Sequence, residues 1–279
     1  CWSLARRSTR VGGRRLPFCH HRCQIHSVKQ VAQGFVPSWV GRGLCAQFGL
    51  EWWFRVAAPM SLLAKLRLVL SLGQGIKSLA HGLTEKEAGL DPFRLFGEWF
   101  QHAKTSGVAL PEAMTLATAS KDGAPSARIV LLKSFDTRGF IFYTNYDSRK
   151  CHDLEENPCA ALICHWTVLQ RQIRIEGSVE RTSQEESTEY FRTRPRGSQI
   201  GAWASTQSAS LDSYDQLVRR TTEFDQKFKG QDVPLPPFWG GYIVRPTRIE
   251  FWQGRANRLH DRLLYEREGS GWKVTRLSP

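Results

Sequence analysis

The sequence lacks the features that assign a chain to several common classes. No apolar run among its 279 residues is long enough to span a bilayer, because the best candidate, 61–72, is short and is interrupted by Lys65 and Arg67. The motifs G-x-S-x-G and H-E-x-x-H are both absent, which excludes two common hydrolase classes. The stretch Gly73-Gln74-Gly75 lacks a third glycine and a preceding strand, so a dinucleotide-binding loop is not indicated.

Acidic residues are almost missing from the start of the chain. Residues 1–60 contain nine Lys or Arg and one acid, Glu51, a net charge of +8, whereas 61–279 contain thirty basic and twenty-five acidic residues, a net charge of +5. The basic start shows no aromatic–basic period and no recognised module, so neither nucleic acid nor a membrane is expected as a partner.

Two interpretations of this start remain open: a targeting segment of mitochondrial type, or an upstream stretch before a true initiator at Met60. We favour the second. We therefore expect residues 1–60 to be a basic segment that is disordered or absent from the mature protein, 61–90 to form an N-terminal arm, and 91–279 to form the functional domain. The expected location is the cytoplasm, or mitochondria if the targeting interpretation holds.

Cysteine gives no disulfide or metal framework. Four of the seven cysteines lie in the first 45 residues, and the others are Cys151, Cys159 and Cys164, which read as buried or idle reduced thiols. The stretch 19–26 has ligand types that zinc accepts, but no second pair follows at a finger-like spacing. No metal is expected.

What the sequence does contain is a core-forming pattern: 41% of its residues are hydrophobic and 11% are aromatic. Asp91-Pro92 is typical of a helix start, and apolar residues then recur at 93, 96, 99, 100 and 103, up to Gly107. Further helices are predicted after Ser148 as a cap, from Ser183 with Glu186 as a capping box to about 193, and over 212–229.

Most of the remainder consists of short segments rich in residues with high β-propensity, separated by residues typical of hairpin turns. They predict strands at 114–119, 127–134, 140–144, 160–166, 172–179, 242–244, 249–253, 263–267 and 272–277. Many short strands in meander order with a few peripheral helices favour an α+β fold, mainly antiparallel β, closed as a barrel.

Several polar residues are arranged to bind anions without a glycine-rich loop. Tyr190 and Arg194 are four apart at a helix end and share a face, and Pro195 then ends the helix and lets Ser198 turn inward. Arg149 and Lys150 place two cations in a first helical turn, where they oppose the helix dipole unless an anion binds there.

A series of short motifs follows from Arg128 to the end of the chain. The motifs are Arg128-Ile-Val-Leu-Leu-Lys133, Phe142-Tyr-Thr-Asn145, Ser148-Arg-Lys150, Arg171-Gln-Ile173, Ser198-Gln-Ile-Gly-Ala-Trp203, Gln207-Ser208, Phe238-Trp-Gly-Gly241, Glu250-Phe-Trp-Gln-Gly254, Arg258-Leu-His-Asp-Arg262 and Arg276-Leu-Ser-Pro279. Their order and spacing resemble those of the pyridoxine (pyridoxamine) 5′-phosphate oxidase family, and the resemblance extends over Gly82 to Pro279. Each is weak alone, but together they make a chance match implausible.

This resemblance implies a split-barrel FMN-binding fold and a homodimer in which both protomers build each flavin site. The implied FMN contacts are Arg128, Ile129, Val130, Leu131, Leu132, Lys133, Tyr143, Thr144, Arg149, Lys150, Gln172, Gln207, Ser208, Trp252 and Arg262. Their types suit the ligand, because cations offset a phosphate dianion and an aromatic ring supplies a flat apolar wall.

The resemblance also implies a substrate site and a reaction. The substrate contacts would be Lys133, Tyr190, Arg194, Ser198, Arg258, Leu259 and His260, with Arg258 and His260 as catalytic residues over the pyridine ring. Hydride would pass from pyridoxine or pyridoxamine 5′-phosphate to the flavin, and oxygen would reoxidise it to give pyridoxal 5′-phosphate and hydrogen peroxide, with ammonia from the amine.

Other interpretations stay open. Arg258 and His260 taken alone would more often serve packing or a surface ion pair, and Trp203, Trp239 and Phe251 are expected to be core or interface residues. Relatives carry a Met-Arg-x-x-Tyr arm where this chain has Gly75-Ile-Lys-Ser78, so an altered lid with a weaker grip on the substrate is expected. The rival functions are a split-barrel flavin reductase or secondary-metabolite oxidase, and a non-enzymatic flavin or pyridoxal phosphate binder.

Overall fold

A computed structural model describes residues 82–279, and the predictions for 1–60 and for the altered lid lie outside these residues. Its helices are α1 (Glu85–Ala88), α2 (Pro92–Thr105), α3 (Arg149–Glu156), α4 (Gln184–Thr193), α5 (Arg196–Ala204) and α6 (Tyr214–Lys227). Its strands are β1 (Ala113–Ala119), β2 (Pro125–Leu131), β3 (Ser134–Asp136), β4 (Gly139–Asn145), β5 (Cys159–Trp166), β6 (Arg171–Arg181), β7 (Trp239–Gln253), β8 (Asp261–Glu268) and β9 (Gly271–Arg276). None of the described helices is both long and apolar enough to cross a membrane.

The strands form a single antiparallel sheet in the order β2-β1-β5-β6-β7-β4-β3, with β8 added to β7 and β9 to β8. The sheet curls so that its two ends approach each other, and the Lys133 N–H, just after β2, donates to the Ile141 carbonyl of β4 at 2.9 Å. The prediction of a mainly antiparallel α+β split barrel with peripheral helices is confirmed.

Helix α2 covers the main core, as its sequence pattern predicts. The Asp91 carboxylate accepts a hydrogen bond from the Phe93 N–H at 2.9 Å, which satisfies one of the free donors of the first turn. Phe96 and Trp99 are buried against the sheet. The helix therefore packs one apolar face on the curled sheet and leaves Glu98 on the exposed face.

The prediction of two strands at 242–244 and 249–253 was wrong, because β7 is continuous over 15 residues. Pro246 has no N–H to donate to a neighbouring strand, and this suggested a break between two strands. In the structure the pairing with β6 shifts by one residue between Glu176 and Gly177, and the resulting bulge in β7 accommodates Pro246. A Cβ on Gly177 would lie 1.9 Å from the Arg245 carbonyl oxygen, so the close approach of the two strands requires glycine.

Two helix predictions also need correction. Helix α5 was missed because Pro195 was interpreted only as the end of α4, whereas it also starts the next helix as its N-terminal cap residue. Ser148 lies at the N-cap position of α3 without a capping side-chain bond, because its hydroxyl donates to the Asn145 carbonyl at 2.7 Å. The capping box of Ser183 and Glu186 on α4 is confirmed.

A second, smaller core lies under the helices of the C-terminal half. It joins α4, α5 and the end of α6 to the first residue of β7 through Phe191, Ile200, Phe228, Val233 and Trp239. This cluster fixes α4 and α5 beside the sheet, and the space between them and the strands becomes the cavity described below.

Phe96→Ala is expected to lower the free energy of unfolding by about 3–5 kcal/mol, the usual cost of deleting a buried aromatic ring. The Phe96 ring is fully buried and its centroid lies 4.8 Å from those of both Phe135 and Phe140. Guanidinium denaturation followed by tryptophan fluorescence measures the change. As a control, Glu98→Ala removes only an exposed ion pair with Arg94 and is expected to cost about 0.5 kcal/mol or less. A loss below about 1 kcal/mol for Phe96→Ala would contradict this packing.

Candidate active site

A cavity of about 660 Å³ lies between the barrel and helices α4 and α5. Strands β2 and β4, the start of α3, the α4–α5 junction and the segment after α5 each contribute to its wall. Of the residues predicted for FMN or substrate, those that line it are Ile129, Val130, Leu131, Lys133, Tyr143, Thr144, Lys150, Tyr190, Arg194, Ser198 and Gln207. We call these residues the cavity group.

Lys150 is the buried cation of the cavity. Its ammonium donates to the Ser148 hydroxyl at 2.7 Å, to Thr144 Oγ1 at 3.0 Å and to Gln207 Oε1 at 3.0 Å, and all three acceptors are neutral. Burial lowers the pKa of Lys150 from its usual value, because desolvation disfavours the charged form. A buried charge held by neutral oxygens would be stabilised by an anion in the cavity.

Arg128 and Arg149 add positive charge beside Lys150. Arg128 donates to the Thr118 hydroxyl at 2.7 Å and to Ser126 at 2.6 Å, and it lies 3.5 Å from the Asp153 carboxylate. Burial lowers the pKa of Arg128; the Asp153 carboxylate partly opposes this effect, and the nearby Arg149 charge adds to it. Arg128, Arg149 and Lys150 thus place three cations near the start of α3, and electrostatics favour an anion there.

The remaining predicted residues of this region lie just outside the cavity wall. The backbone of Ser208 has a positive φ of 73°. Its hydroxyl accepts a hydrogen bond from the Arg149 N–H at 3.3 Å, and so supplies a side-chain contact at the start of α3 that Ser148 does not make. Leu132 points into the main core and is buried. Ser208 and Leu132 therefore adjoin residues of the cavity wall without lining the cavity themselves.

Arg194 is the second cationic centre. Its guanidinium stands 4.7 Å from the ring centroid of Trp239, and its Nη1 is buried without a hydrogen-bond partner. Burial lowers the pKa of Arg194. Such an unsatisfied buried donor at a cavity wall indicates a site for an anionic ligand.

Aromatic rings form a stacked wall next to Arg194. The rings of Tyr143 and Tyr190 stack with centroids 4.0 Å apart, and Lys133 Nζ lies 5.9 Å from the Tyr190 centroid. Burial, with a smaller effect of the Glu186 carboxylate, raises the pKa of Tyr143 to about 12, so its phenol stays protonated and can donate. Tyr190, Arg194 and Ser198 all line the cavity at the α4–α5 junction.

Three other residues predicted to contact FMN lie in one row across the sheet. Gln172 of β6 is paired with Trp252 of β7, and Trp252 is paired with Arg262 of β8. Directly paired residues project from the same face of a sheet, so an amide, an indole and a guanidinium share one surface. We call this set the strand-end row.

The predicted catalytic residues adjoin the strand-end row. The His260 ring packs on Trp252 with centroids 4.6 Å apart, and His260 Nδ1 accepts a hydrogen bond from the Arg255 N–H at 3.2 Å. The turn before it is tight, with φ of 56° at Asn257 and 61° at Arg258. Non-glycine residues rarely adopt this conformation, and such strain concentrates at functional sites. Leu259 is exposed beside them.

The cavity group and the strand-end row occupy different parts of one chain. Trp239, which lines the cavity, begins β7, and Trp252 lies next to the last residue of this 15-residue strand. The contour between them is roughly 45 Å at the usual rise of a strand. Residues predicted for one site are therefore split into two groups on each chain.

Some cavity residues were missed by the sequence analysis. Trp239 was expected to be a core or interface residue, yet it is buried and also lines the cavity. Asn145, Thr193 and Ser205 line it as well, and the Asn145 side chain donates to the Ser205 carbonyl at 3.3 Å. Nothing in their spacing marks them, because Asn145 ends β4, Thr193 ends α4 and Ser205 follows α5, and only the folded chain brings these three ends to one cavity.

Known proteins similar to this chain identify its family. The family model described as pyridoxamine 5′-phosphate oxidase matches residues 101–228, and that of the pyridoxine 5′-phosphate oxidase C-terminal dimerisation region matches 239–279. The pyridoxine/pyridoxamine 5′-phosphate oxidase of Rubrobacter xylanophilus is 61% identical over 198 residues, covering 71% of this chain and 91% of the relative. That of Psychromonas ingrahamii is 52% identical over 220 residues, covering 79% and 100%.

Solved structures show the same fold. PhzG from Burkholderia lata 383, in complex with tetrahydrophenazine-1-carboxylic acid, matches with a TM-score of 0.69 and 33% identity, covering 72% of this chain and 100% of that one. A pyridoxamine 5′-phosphate oxidase-related, FMN binding protein from Nostoc punctiforme matches with a TM-score of 0.56 at 17% identity, covering 68% and 100%, a likeness of fold alone. From the family models and the curated relatives, the chain belongs to the pyridoxine/pyridoxamine 5′-phosphate oxidase family of oxidoreductases.

Proposed function

We propose that the protein oxidises pyridoxine 5′-phosphate and pyridoxamine 5′-phosphate with oxygen, using FMN as cofactor. The alcohol and oxygen give pyridoxal 5′-phosphate and hydrogen peroxide, and the amine additionally consumes water and releases ammonia. The observation that carries the proposal is the presence of two cationic centres, Lys150 and Arg194, in one cavity. A cofactor and a substrate that each bear a phosphate require two such centres.

The residues around Lys150 fit the phosphate of FMN. Of Arg128, Arg149 and Lys150, only Arg128 lies within ion-pair distance of a carboxylate of residues 82–279, that of Asp153, and a phosphate dianion would offset the remaining charge. Ile129 and Leu131, with exposed apolar side chains on β2, suit the face of a flat ring system. When bound, FMN would supply the two-electron chemistry that no side chain of this set can supply.

The residues around Arg194 fit the phosphate of the substrate. The unpaired Nη1 of Arg194 can donate to a phosphate oxygen, and the Tyr190 and Ser198 hydroxyls lie on the same wall. Lys133 extends the positive charge toward the ring stack. Their task is to hold the substrate by its phosphate so that its reacting carbon is oriented, and the apolar rings limit the access of water.

A homodimer would bring the two groups of residues together. We infer that the strand-end row, with Arg258 and His260, completes the cavity of the partner protomer. This inference is supported by the separation of the groups along β7 and by the match of 239–279, which contain the row's Trp252 and Arg262, to a dimerisation region. In that arrangement a stacked imidazole and an exposed guanidinium would face the substrate ring.

A second candidate is an oxidase of another metabolite, because PhzG shares the fold at 33% identity. The PhzG structure contains tetrahydrophenazine-1-carboxylic acid, an acid without a phosphate group. The second cationic centre of this chain, with Arg194 supported by a phenol and a hydroxyl, favours a phosphorylated substrate instead.

The first test is the absorbance spectrum of the purified protein, followed by assays on both phosphorylated substrates in air. Bound FMN, with pyridoxal 5′-phosphate and hydrogen peroxide formed in equal amounts, is the expected result. Bound flavin with neither product would overturn the proposed reaction and favour a flavin reductase or a storage protein. Turnover of unphosphorylated pyridoxine at the same efficiency would contradict the role given to the second cationic centre.

Arg194→Gln is expected to lower kcat/KM by about tenfold to hundredfold, mainly through KM, because a charge-assisted bond to the substrate phosphate is lost. Steady-state kinetics under air measure the change, and FMN content should remain that of the unmodified protein. Arg192→Gln is the matched control, since Arg192 lies two residues before Arg194, in the last turn of α4, and is exposed. Equal losses in the two variants would contradict direct binding by Arg194.

Mixed dimers test whether each site is shared. Arg194→Gln and His260→Ala homodimers are each expected to have little activity at low substrate concentration. After the two variants are unfolded and refolded together, heterodimers should contain one intact site, and random pairing should restore about a quarter of the unmodified activity. If each site were built within one chain, every chain would carry a defect and no activity would return.

A further inference from the structure

A second row of charged residues lies directly behind the strand-end row. Glu250 is two residues before Trp252 on β7 and is paired with Arg174 on β6, two residues after Gln172. Alternate residues of a strand share a face, so both rows lie on the same surface of the sheet. Glu250 is buried, with 9% of its side chain exposed, and sits on this surface between two arginines.

Glu250 contacts the one cation of the strand-end row. Its Oε1 accepts a hydrogen bond from Arg262 Nε at 2.8 Å, and its Oε2 accepts one from Arg174 Nη1 at 3.3 Å. The hydrogen bond from Arg262 to Glu250 raises the pKa of Arg262. Because the carboxylate is nearly buried, this pair is screened by solvent less than the ion pairs of the exposed face.

A second anchor fixes the other side of the same guanidinium. Arg262 Nη1 donates to the Ser278 carbonyl at 2.9 Å. With Nε and Nη1 both engaged, the plane of the guanidinium is set, and Nη2 is left without a hydrogen-bond partner among residues 82–279. An arginine held in this way presents one nitrogen in a defined direction and loses little further freedom on binding.

We propose that Glu250 is a positioning residue for the cofactor, holding Arg262 in the orientation in which it binds FMN. This inference rests on the proposed function, since it requires FMN to contact the strand-end row. In this role Glu250 acts through Arg262 and not by contacting the cofactor or the substrate itself. Its contribution is to fix Arg262 before FMN arrives, so that less side-chain entropy is lost when FMN binds.

The chain offers a matched control on the same surface. Glu176 also pairs with Arg174, at 2.7 Å, and with Arg248, at 3.4 Å, but its pairs do not include Arg262. Glu176→Gln and Glu250→Gln therefore make the same change of charge and disturb the same Arg174. Only the second removes the contact with the strand-end row.

The test is the Kd of FMN for the full-length apoprotein, measured by quenching of flavin fluorescence. Glu250→Gln is expected to raise Kd by about tenfold, as for the loss of a charge-assisted hydrogen bond, while Glu176→Gln stays within about twofold of the unmodified protein. In an Arg262→Gln background, Glu250→Gln should add less than about twofold, because the residue it positions is gone. Glu250→Asp, which keeps the charge on a shorter side chain, should give an intermediate Kd and serves if Glu250→Gln does not fold.

The outcomes separate this inference from the proposed function. Suppose that the unmodified protein binds FMN and oxidises its substrates. If Glu250→Gln then leaves the Kd of FMN unchanged, or raises it by the same factor with and without Arg262, the positioning role is overturned while the proposed function stands. A fall in Tm with an unchanged Kd would likewise assign Glu250 to sheet stability only. An unmodified protein that binds no FMN would overturn both proposals.

Discussion

Strand β7 is the constraint on which the rest of the molecule depends. It hydrogen-bonds to β4, β6 and β8, and its 15 residues run from the cavity to the strand-end row. A strand this long must bend to follow a curled sheet, and the bulge at Pro246 opposite Gly177 allows the bend without losing the pairing on either side. The position of both groups of candidate site residues follows from this one strand.

The placement of charge follows from burial. Several exposed arginines of the described chain are paired with carboxylates, as Arg138 is with Asp136 and Glu186. At the cavity the balance differs: Lys150 is held by neutral oxygens, and one nitrogen of Arg194 has no partner. Burying uncompensated charge is costly unless a ligand supplies the opposite charge. An anionic ligand in the cavity would therefore offset charge that the described part of the chain leaves unmatched there.

The strand-end row, in contrast, is held by contacts within the chain itself. Trp252 is packed by the His260 ring, and Arg262 is held by Glu250 and the Ser278 carbonyl. Binding surfaces that are ordered in advance lose less entropy when the ligand arrives. A site shared between two copies would require both features: cationic groups without a matching anion on one part of the chain, and an ordered surface on another.

The sequence alone determined the features that depend on neighbours along the chain. The cap at Asp91, the capping box at Ser183, the helix α2 face and most strand positions are local, because periodicity and turn chemistry act over a few residues. The motifs also marked most of the cavity group. Tertiary structure alone decided the alignment of Gln172, Trp252 and Arg262, since pairing fixes the register of strands far apart in the chain. It also decided that Pro246 lies inside a strand and that Glu250 is buried against Arg262, because neither depends on local sequence.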